Sequence, residues 1–210
     1  KMVAAAKLRK AQTRLLKFRD YEIKMSQLQE SVVASLVDHE NLAHLSYFFT
    51  ERPLLKERII VLTSDRGSCG SYNANIVKKA ESYFQRPIDW ETEIVSIGLK
   101  GYETLKRKFA VKQYLPRAAF ENKEQIKSFL SETTGEFVDG QFDKLTIIYS
   151  HFKSMMVIDV RAVTLFPFFL EKETKLEAAP SNALEQPKEF IYEPQKSEFV
   201  HRFLEAWILT

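Results

Sequence analysis

Among 210 residues there is one cysteine, Cys69, so an internal disulfide and a cysteine-based zinc site are both excluded. No apolar run reaches the roughly 18 residues needed to cross a bilayer as a helix, so any membrane association is expected to be indirect. Glycine is scarce, and no G-x-G-x-x-G run or glycine-rich loop ending in Gly-Lys-Ser/Thr occurs, so the common phosphate-cradling motifs are missing. The net charge of +3 is too mild to indicate nucleic acid by itself. Spacings typical of metal ligands are absent, as are internal repeats.

The most telling absence is local. Residues Lys1 to Phe49 contain neither glycine nor proline and open with the helix-favouring run Lys1-Met2-Val3-Ala4-Ala5-Ala6-Lys7-Leu8-Arg9-Lys10-Ala11-Gln12. A helix of that length would be about 70 Å long, too long to be buried in a small domain. Stepping 3.5 residues at a time from Leu8 meets Leu8, Ala11, Leu15, Phe18, Glu22, Met25, Gln29, Val32, Leu36 and His39, seven of which are apolar. That is a coiled-coil seam with polar interruptions. Lys1, Lys7, Arg9, Lys10, Arg14, Lys17, Arg19 and Lys24 face only Asp20 and Glu22 over the same stretch. These cations surround the rod rather than forming one stripe, and aromatic residues between them are sparse, which argues against a nucleic-acid-binding helix.

Such a seam needs a mate, and the later helical candidates are shorter. Ser197–Thr210 begins a helical pattern (Phe199, Val200, Phe203, Leu204, Trp207, Ile208) that stops without a capping glycine, and the chain opens on lysine. Both suggest a fragment whose pairing helix lies beyond Thr210; dimerisation of the rod with its own copy is the alternative.

Between the rod and that last helix the pattern alternates. Expected strands are Arg58–Thr63, Glu93–Ile97, Val111–Leu115, Lys144–Ser150 and Met155–Leu165, the last paired antiparallel through a turn near His151–Ser154. Expected helices are Tyr72–Phe84, Lys100–Lys108 and Glu121–Val138. The fold class is therefore α/β: a long N-terminal helix, half of a coiled coil, followed by a Rossmann-like, mostly parallel sheet with helices on both faces. The expected divisions are 1–52 (rod), 53–170 (α/β domain), 171–195 (a proline-punctuated linker) and 196–210 (the start of a truncated helix).

The turn after the first strand, Ser64-Asp65-Arg66-Gly67-Ser68-Cys69-Gly70-Ser71, lies where doubly wound folds bind phosphate. Its glycine pair reads as a structural feature. Cys69 could act as a nucleophile only with a base, for which His151 is the candidate; a small buried thiol is the simpler reading. Asp65 is expected to accept backbone N–H groups of its own turn, or to pair with Arg66 or Arg161. A Rossmann-like cysteine hydrolase or nucleotide-binding domain, dimerising through its rod, is the rival reading, and it requires a ligand-sized pocket beside Cys69 and His151.

Three segments together resemble the γ subunit, the central rotor shaft, of F-type ATP synthases: the opening Lys1–Gln12; Thr63-Ser64-Asp65-Arg66-Gly67-Ser68-Cys69-Gly70 with Asn73 and Asn75-Ile76; and Phe142-Asp143-Lys144 through Tyr149 to Phe152-Lys153-Ser154. Phe166-Pro167 and Tyr192-Glu193-Pro194 fall at further family landmarks. Ser68 stands for the usual leucine, and Ser71-Tyr72 for a glycine-leucine pair. The resemblance implies a non-catalytic subunit without cofactor or metal. Its N-terminal helix would pair antiparallel with a C-terminal helix and enter a ring of α and β subunits, while the Rossmann-like domain would sit against the ε subunit and the membrane rotor ring. Rotation would couple proton flow to ATP synthesis at the β subunits. Expected partner contacts are Lys1, Met2, Lys7, Arg9, Lys10 and Arg14, the expected seam is Leu8, Ala11, Leu15, Phe18, Met25, Val32 and Leu36, and the family turn is Ser64, Asp65, Arg66, Gly67, Cys69 and Gly70. The single cysteine does not match the regulatory pair of chloroplast relatives. The implied location is peripheral, on the cytoplasmic face of a bacterial inner membrane, with the matrix side of the mitochondrial inner membrane as the alternative.

Overall fold

The computed structural model describes residues 6, 8–13, 15, 21, 24, 48, 52–152 and 158–167. The chain divides into two compact units, Lys1–Ala43 with Leu170–Thr210, and His44–Phe169. In the first, every described residue is α-helical, and Thr13 bonds back to the Arg9 carbonyl at 3.0 Å, one helical turn away.

The second unit is an α/β fold. Its strands are β1 Lys56–Leu62, β2 Glu91–Ile97, β3 Val111–Leu115, β4 Lys144–Phe152 and β5 Ile158–Phe166. Its helices are α1 Tyr72–Phe84, α2 Leu99–Leu105 and α3 Lys123–Val138, with a 3₁₀ turn at Arg117–Glu121. The sheet order is β3-β2-β1-β4-β5, parallel except for the antiparallel β4–β5 pair. The expected mostly parallel sheet is thus present. The connection from β4 to β5 lies outside the described residues.

β1 is the middle strand and Glu57 to Val61 are all buried between two parallel neighbours; the apolar part of that run is Ile59-Ile60-Val61. Ile59 and Val61 face α1 and α2, where they join Ile76, Val77, Ala80, Ile94, Leu105 and Ile148. On the other face an aromatic layer forms. Phe137 of α3 lies 5.6 Å from Phe142, 5.0 Å from Phe166 and 5.7 Å from Phe48, ring centre to ring centre.

β1 and β2 each begin two residues earlier than the sequence pattern suggested. Three of the four added residues, Lys56, Glu57 and Glu91, are charged and partnered. Lys56 is in register with Glu91 and bridges both Glu91 and Glu93 at 3.4 Å. Arg58, in register with Glu93, donates from Nε to its Oε1 at 2.5 Å, pairs with Glu136 of α3, and lies 4.1 Å over the Phe142 ring. On the opposite face Glu57 is fully buried and accepts from Tyr83 (2.7 Å), Thr146 (2.6 Å) and the Trp90 indole (3.1 Å). Buried charges survive when paired and hydrogen-bonded, and these are. α3 also differs from expectation: Asn122 caps it by accepting from Glu124 N at 2.9 Å, so the preceding residues form a separate 3₁₀ turn.

The packing of β2 and α2 against Thr63 generates a paired test. A Cβ on Gly101 would lie 2.6 Å from Thr63 Oγ1 and 2.8 Å from its Cγ2, so Gly101→Ala should cost about 2–3 kcal/mol by overpacking. Ser96 lies against the same spot with a buried hydroxyl that has no hydrogen-bond partner among the described residues. Ser96→Ala should therefore be neutral or raise stability by up to about 1 kcal/mol. Urea unfolding midpoints of the two variants would check both.

Candidate functional site

The family turn sits at the carboxyl-terminal edge of the sheet, between β1 and α1. Ser64 and Asn73 hold it from opposite ends: Asn73 Oδ1 accepts from Ser64 N at 3.0 Å, and Asn73 Nδ2 donates to the Ser64 hydroxyl at 3.0 Å and the Arg66 carbonyl at 3.2 Å. Ser64 Oγ in turn donates to the Arg66 carbonyl at 2.7 Å. Gly70 takes φ +60°, and Cys69 leads into Ser71 and the first turn of α1.

Cys69 is half-buried, not enclosed as the structural reading of the turn expected. Its sulfur accepts from Asn73 Nδ2 at 3.0 Å and lies 3.6 Å from the Arg66 carbonyl and 3.8 Å from that of Gly67. His151, the base required by the hydrolase reading, is not among these neighbours; it lies on β4 opposite Asp159 of β5. The cavity that forms between α3 and β2–β3, about 210 Å³, is lined by Arg58, Val95, Lys112, Phe129, Thr133 and Glu136 among others. No residue of the family turn lines it.

Asp65 reaches further than its own turn. Its Oδ1 accepts from Leu99 N at 2.9 Å, at the start of α2, and from Arg117 N at 3.1 Å, at the start of the 3₁₀ turn. Neither Arg66 nor Arg161 is its partner; Arg161 pairs with Asp159 at 2.8 Å. Partial burial pushes the Asp65 carboxyl upward, but the N–H groups of Leu99, Arg117 and Ala118 and the Arg117 charge more than offset this, holding it below the usual carboxylate range. One carboxylate thereby ties together the three turns that leave β1, β2 and β3. Thr63 adds to the joint: its N–H bonds the Ile97 carbonyl at 2.8 Å and its hydroxyl accepts from Gly101 N at 2.9 Å. Gly98, at φ +99°, is obligatory there, since a Cβ would fall 2.3 Å from the Thr63 carbonyl oxygen. Sequence reasoning missed these long-range partners because they depend on the order of strands, which no local pattern encodes.

Of the expected seam, Leu8, Ala11 and Leu15 are described, and all three are helical and exposed, Leu8 at 49% and Leu15 at 45%. Phe18, Met25, Val32 and Leu36 lie outside the described residues. Of the expected partner contacts, Arg9 and Lys10 are helical and exposed, whereas Lys1, Met2, Lys7 and Arg14 lie outside the described residues.

The Asp65 joint has a pH signature. Because its folded value lies below the unfolded carboxylate value of about 3.9, it stabilises the fold above that pH and loses the contribution as the pH falls through the lower folded value. Asp65→Asn keeps an acceptor oxygen without the charge. It should cost about 1 kcal/mol at neutral pH, the margin of a charge-assisted bond over a neutral one. The gap from the parent protein should close below about pH 4 in denaturant titrations run across the acid range.

A family model described as ATP synthase matches residues 1–210. The ATP synthase gamma chain of Pelagibacter ubique (strain HTCC1062) is 35% identical over an alignment covering 100% of this chain and 71% of the relative. That of Geotalea daltonii is 34% identical, covering 97% of this chain and 68% of the relative. Among solved structures, the cryo-EM structure of the Tetrahymena thermophila mitochondrial ATP synthase central stalk and c-ring shares the fold, with a TM-score of 0.51 at 18% identity, covering 91% of this chain and 87% of that one. By its whole-length match and these relatives, the chain belongs to the ATP synthase gamma chain family.

Proposed function

We propose that this chain is the central-stalk shaft of a rotary ATP synthase, carrying torque between a membrane rotor ring and the catalytic α and β subunits. The observation that carries the reading is the match of the whole chain to the family, together with an exposed helix that bears leucines at seam spacing beside cations. In this reading residues 1–52 form one strand of the antiparallel coiled coil, 53–170 the α/β domain against the ε subunit and the ring, 171–195 a linker, and 196–210 the start of the returning helix. The subunit is non-catalytic: where a nucleotide phosphate would meet the N-termini of α2 and the 3₁₀ turn, the chain supplies its own carboxylate from Asp65. No helix among the described residues is long and apolar enough to cross a membrane. In this reading the complex is the membrane-bound entity and the subunit belongs to its peripheral part, at the cytoplasmic face of a bacterial inner membrane.

The physical demands of a shaft agree with the residues. Torque requires a helix without glycine hinges or proline kinks, which residues 1–52 satisfy. Rotation also requires a surface that does not lock against its housing. The small side chains of Ala4, Ala5, Ala6 and Ala11 leave no knobs, and the long cations Lys7, Arg9, Lys10 and Arg14 can pass from one acidic loop to the next. Reversing charge at Lys7, Arg9 and Lys10 should lower ATPase turnover of a reassembled complex by roughly tenfold, since exposed pairs contribute up to about 1 kcal/mol each. Unchanged kinetics would overturn the sliding contact.

A further inference from the structure

The chain passes between the two compact units twice, once between Ala43 and His44 and once between Phe169 and Leu170. The second unit therefore receives the chain just ahead of Phe48 and releases it just after Phe166. These two phenylalanines touch, with ring centres 5.4 Å apart and planes at 54°. Both also lie on Phe137 at the end of α3, Phe48 at 5.7 Å and Phe166 at 5.0 Å. All three rings are buried. The point of entry and the point of exit are thus laced together by side chains on one helix end.

Arg52 fixes the entry a second time. Its Nη2 donates to the Phe137 carbonyl at 3.1 Å and to the Phe142 carbonyl at 3.4 Å, and its guanidinium carbon lies 4.3 Å over the Phe137 ring. A cation there meets the last-turn carbonyls and the negative end of the helix dipole. The buried Nε of Arg52 has no hydrogen-bond partner among the described residues, so ring and carbonyls place the guanidinium even though one donor goes unmet. α3 and β5 are in turn braced to the sheet. Arg58 of β1 pairs with Glu136 and lies 4.1 Å over the Phe142 ring, and β5 is paired with β4 along its length. Asp143 Oδ2 accepts from the N–H groups of Leu55 and Lys56 at 2.9 Å each, which ties the start of β1 to the start of β4.

We propose that Phe48, Arg52 and Phe166 form a torque joint: they fix both chain crossings to α3, so that the angle of the shaft reaches the α/β domain through packed side chains rather than through two separate peptide links. The proposal rests on the rotor reading and names the residues at which torque enters the domain. A lone peptide link is a swivel, because its two soft dihedrals turn with little resistance. Two links packed against each other and against a common helix turn only by opening a close-packed core, and such cores transmit strain. A residue that merely filled the core would add stability wherever the chain entered or left. Here the aromatic contacts fall within a few residues of both crossings, and Arg52 adds a directional, charge-assisted bond beside one of them.

Two measurements test the joint. In the free chain, hydrogen exchange read by mass spectrometry should show Phe48→Ala speeding exchange about tenfold or more at the end of α3, where Gly140 and Gln141 N–H bond Phe137 and Glu136, and at the end of β5, while β2 keeps its protection. A uniform loss across the sheet, or no loss, would overturn the proposal, since the ring would then be plain filling or idle. Arg52→Gln leaves every ring in place. It should loosen the end of α3 and leave β2 unmoved, and it decides the point if Phe48→Ala does not fold. In the assembled synthase in vesicles, Phe48→Leu/Arg52→Gln should keep ATP hydrolysis within about twofold and move roughly threefold fewer protons per ATP hydrolysed. Phe48→Leu/Arg52→Lys, which keeps the charge, should recover part of that ratio. An unchanged ratio sinks the joint, because a purely stabilising pair changes the amount of active complex and leaves the ratio intact. If the parent chain does not assemble with α and β subunits, the rotor reading falls, and the exchange pattern still decides whether the crossings are laced.

Discussion

The carboxylate of Asp65 closes the carboxyl-terminal edge of the sheet, and much of the domain is arranged around that closure. Of the four parallel strands that run to this edge, β1, β2 and β3 each lead into a turn that starts a helical segment, with backbone N–H groups that lack intrahelical partners. In nucleotide-binding folds those groups meet phosphate. Here Asp65 from the first turn answers Leu99 and Arg117 from the next two, so the anion is covalently part of the chain. Such a tie needs the loops to approach closely, which is why Gly98 and Gly101 lie against Thr63 with no room for a side chain.

The opposite end of the sheet is fixed by another device. Glu57, Arg58 and Glu93 are buried near the amino-terminal ends of β1 and β2, with Arg58 and Glu93 on the α3 face and Glu57 on the α1 face. A one-residue slip of β1 would exchange these faces and bury each charge without its partner, at a cost far above that of misplacing a methyl group. Burial pushes the Glu93 carboxyl up, but Lys112 and Arg58 outweigh it and hold the group ionised below its ordinary range. Register at one end is thus set by charge pairing, and loop position at the other by Asp65, with the hydrophobic layers between them.

Local patterns carried the α/β class and several elements outright. The span Tyr72–Phe84 is a helix and Val111–Leu115 a strand, because in each the period of apolar residues and the flanking turn residues agree. Patterns failed where a residue's meaning depends on a distant partner. Lys56, Glu57 and Glu91 look like loop residues until the parallel register brings Lys56 beside Glu91 and places Glu57 under Tyr83, Trp90 and Thr146. Asp65 looked like a residue serving its own turn because its partners are 34 and 52 positions away. Cys69 looked enclosed because small thiols usually are, yet the turn leaves it half open, held by Asn73 four residues on. The seven-residue seam was read from spacing and the six-residue contact set from the family resemblance, and only Arg9, Lys10, Leu8, Ala11 and Leu15 among them fall within the described residues.

The distribution of glycine separates two mechanical roles within one chain. All six glycines lie between Gly67 and Gly140, and the three with positive φ, Gly70, Gly98 and Gly140, each mark a turn in the α/β domain. None lies in the first 66 residues; in the proposed shaft, a single flexible joint within residues 1–52 would let the helix bend instead of transmitting angle. In the α/β domain the same freedom is harmless, because Asp65 at one edge and the paired charges at the other over-determine the loops. In the proposed shaft, residues 1–52 need stiffness by composition and the α/β domain needs stiffness by cross-bracing. The placement of glycine, and of the carboxylates that bridge across the sheet, meets both requirements.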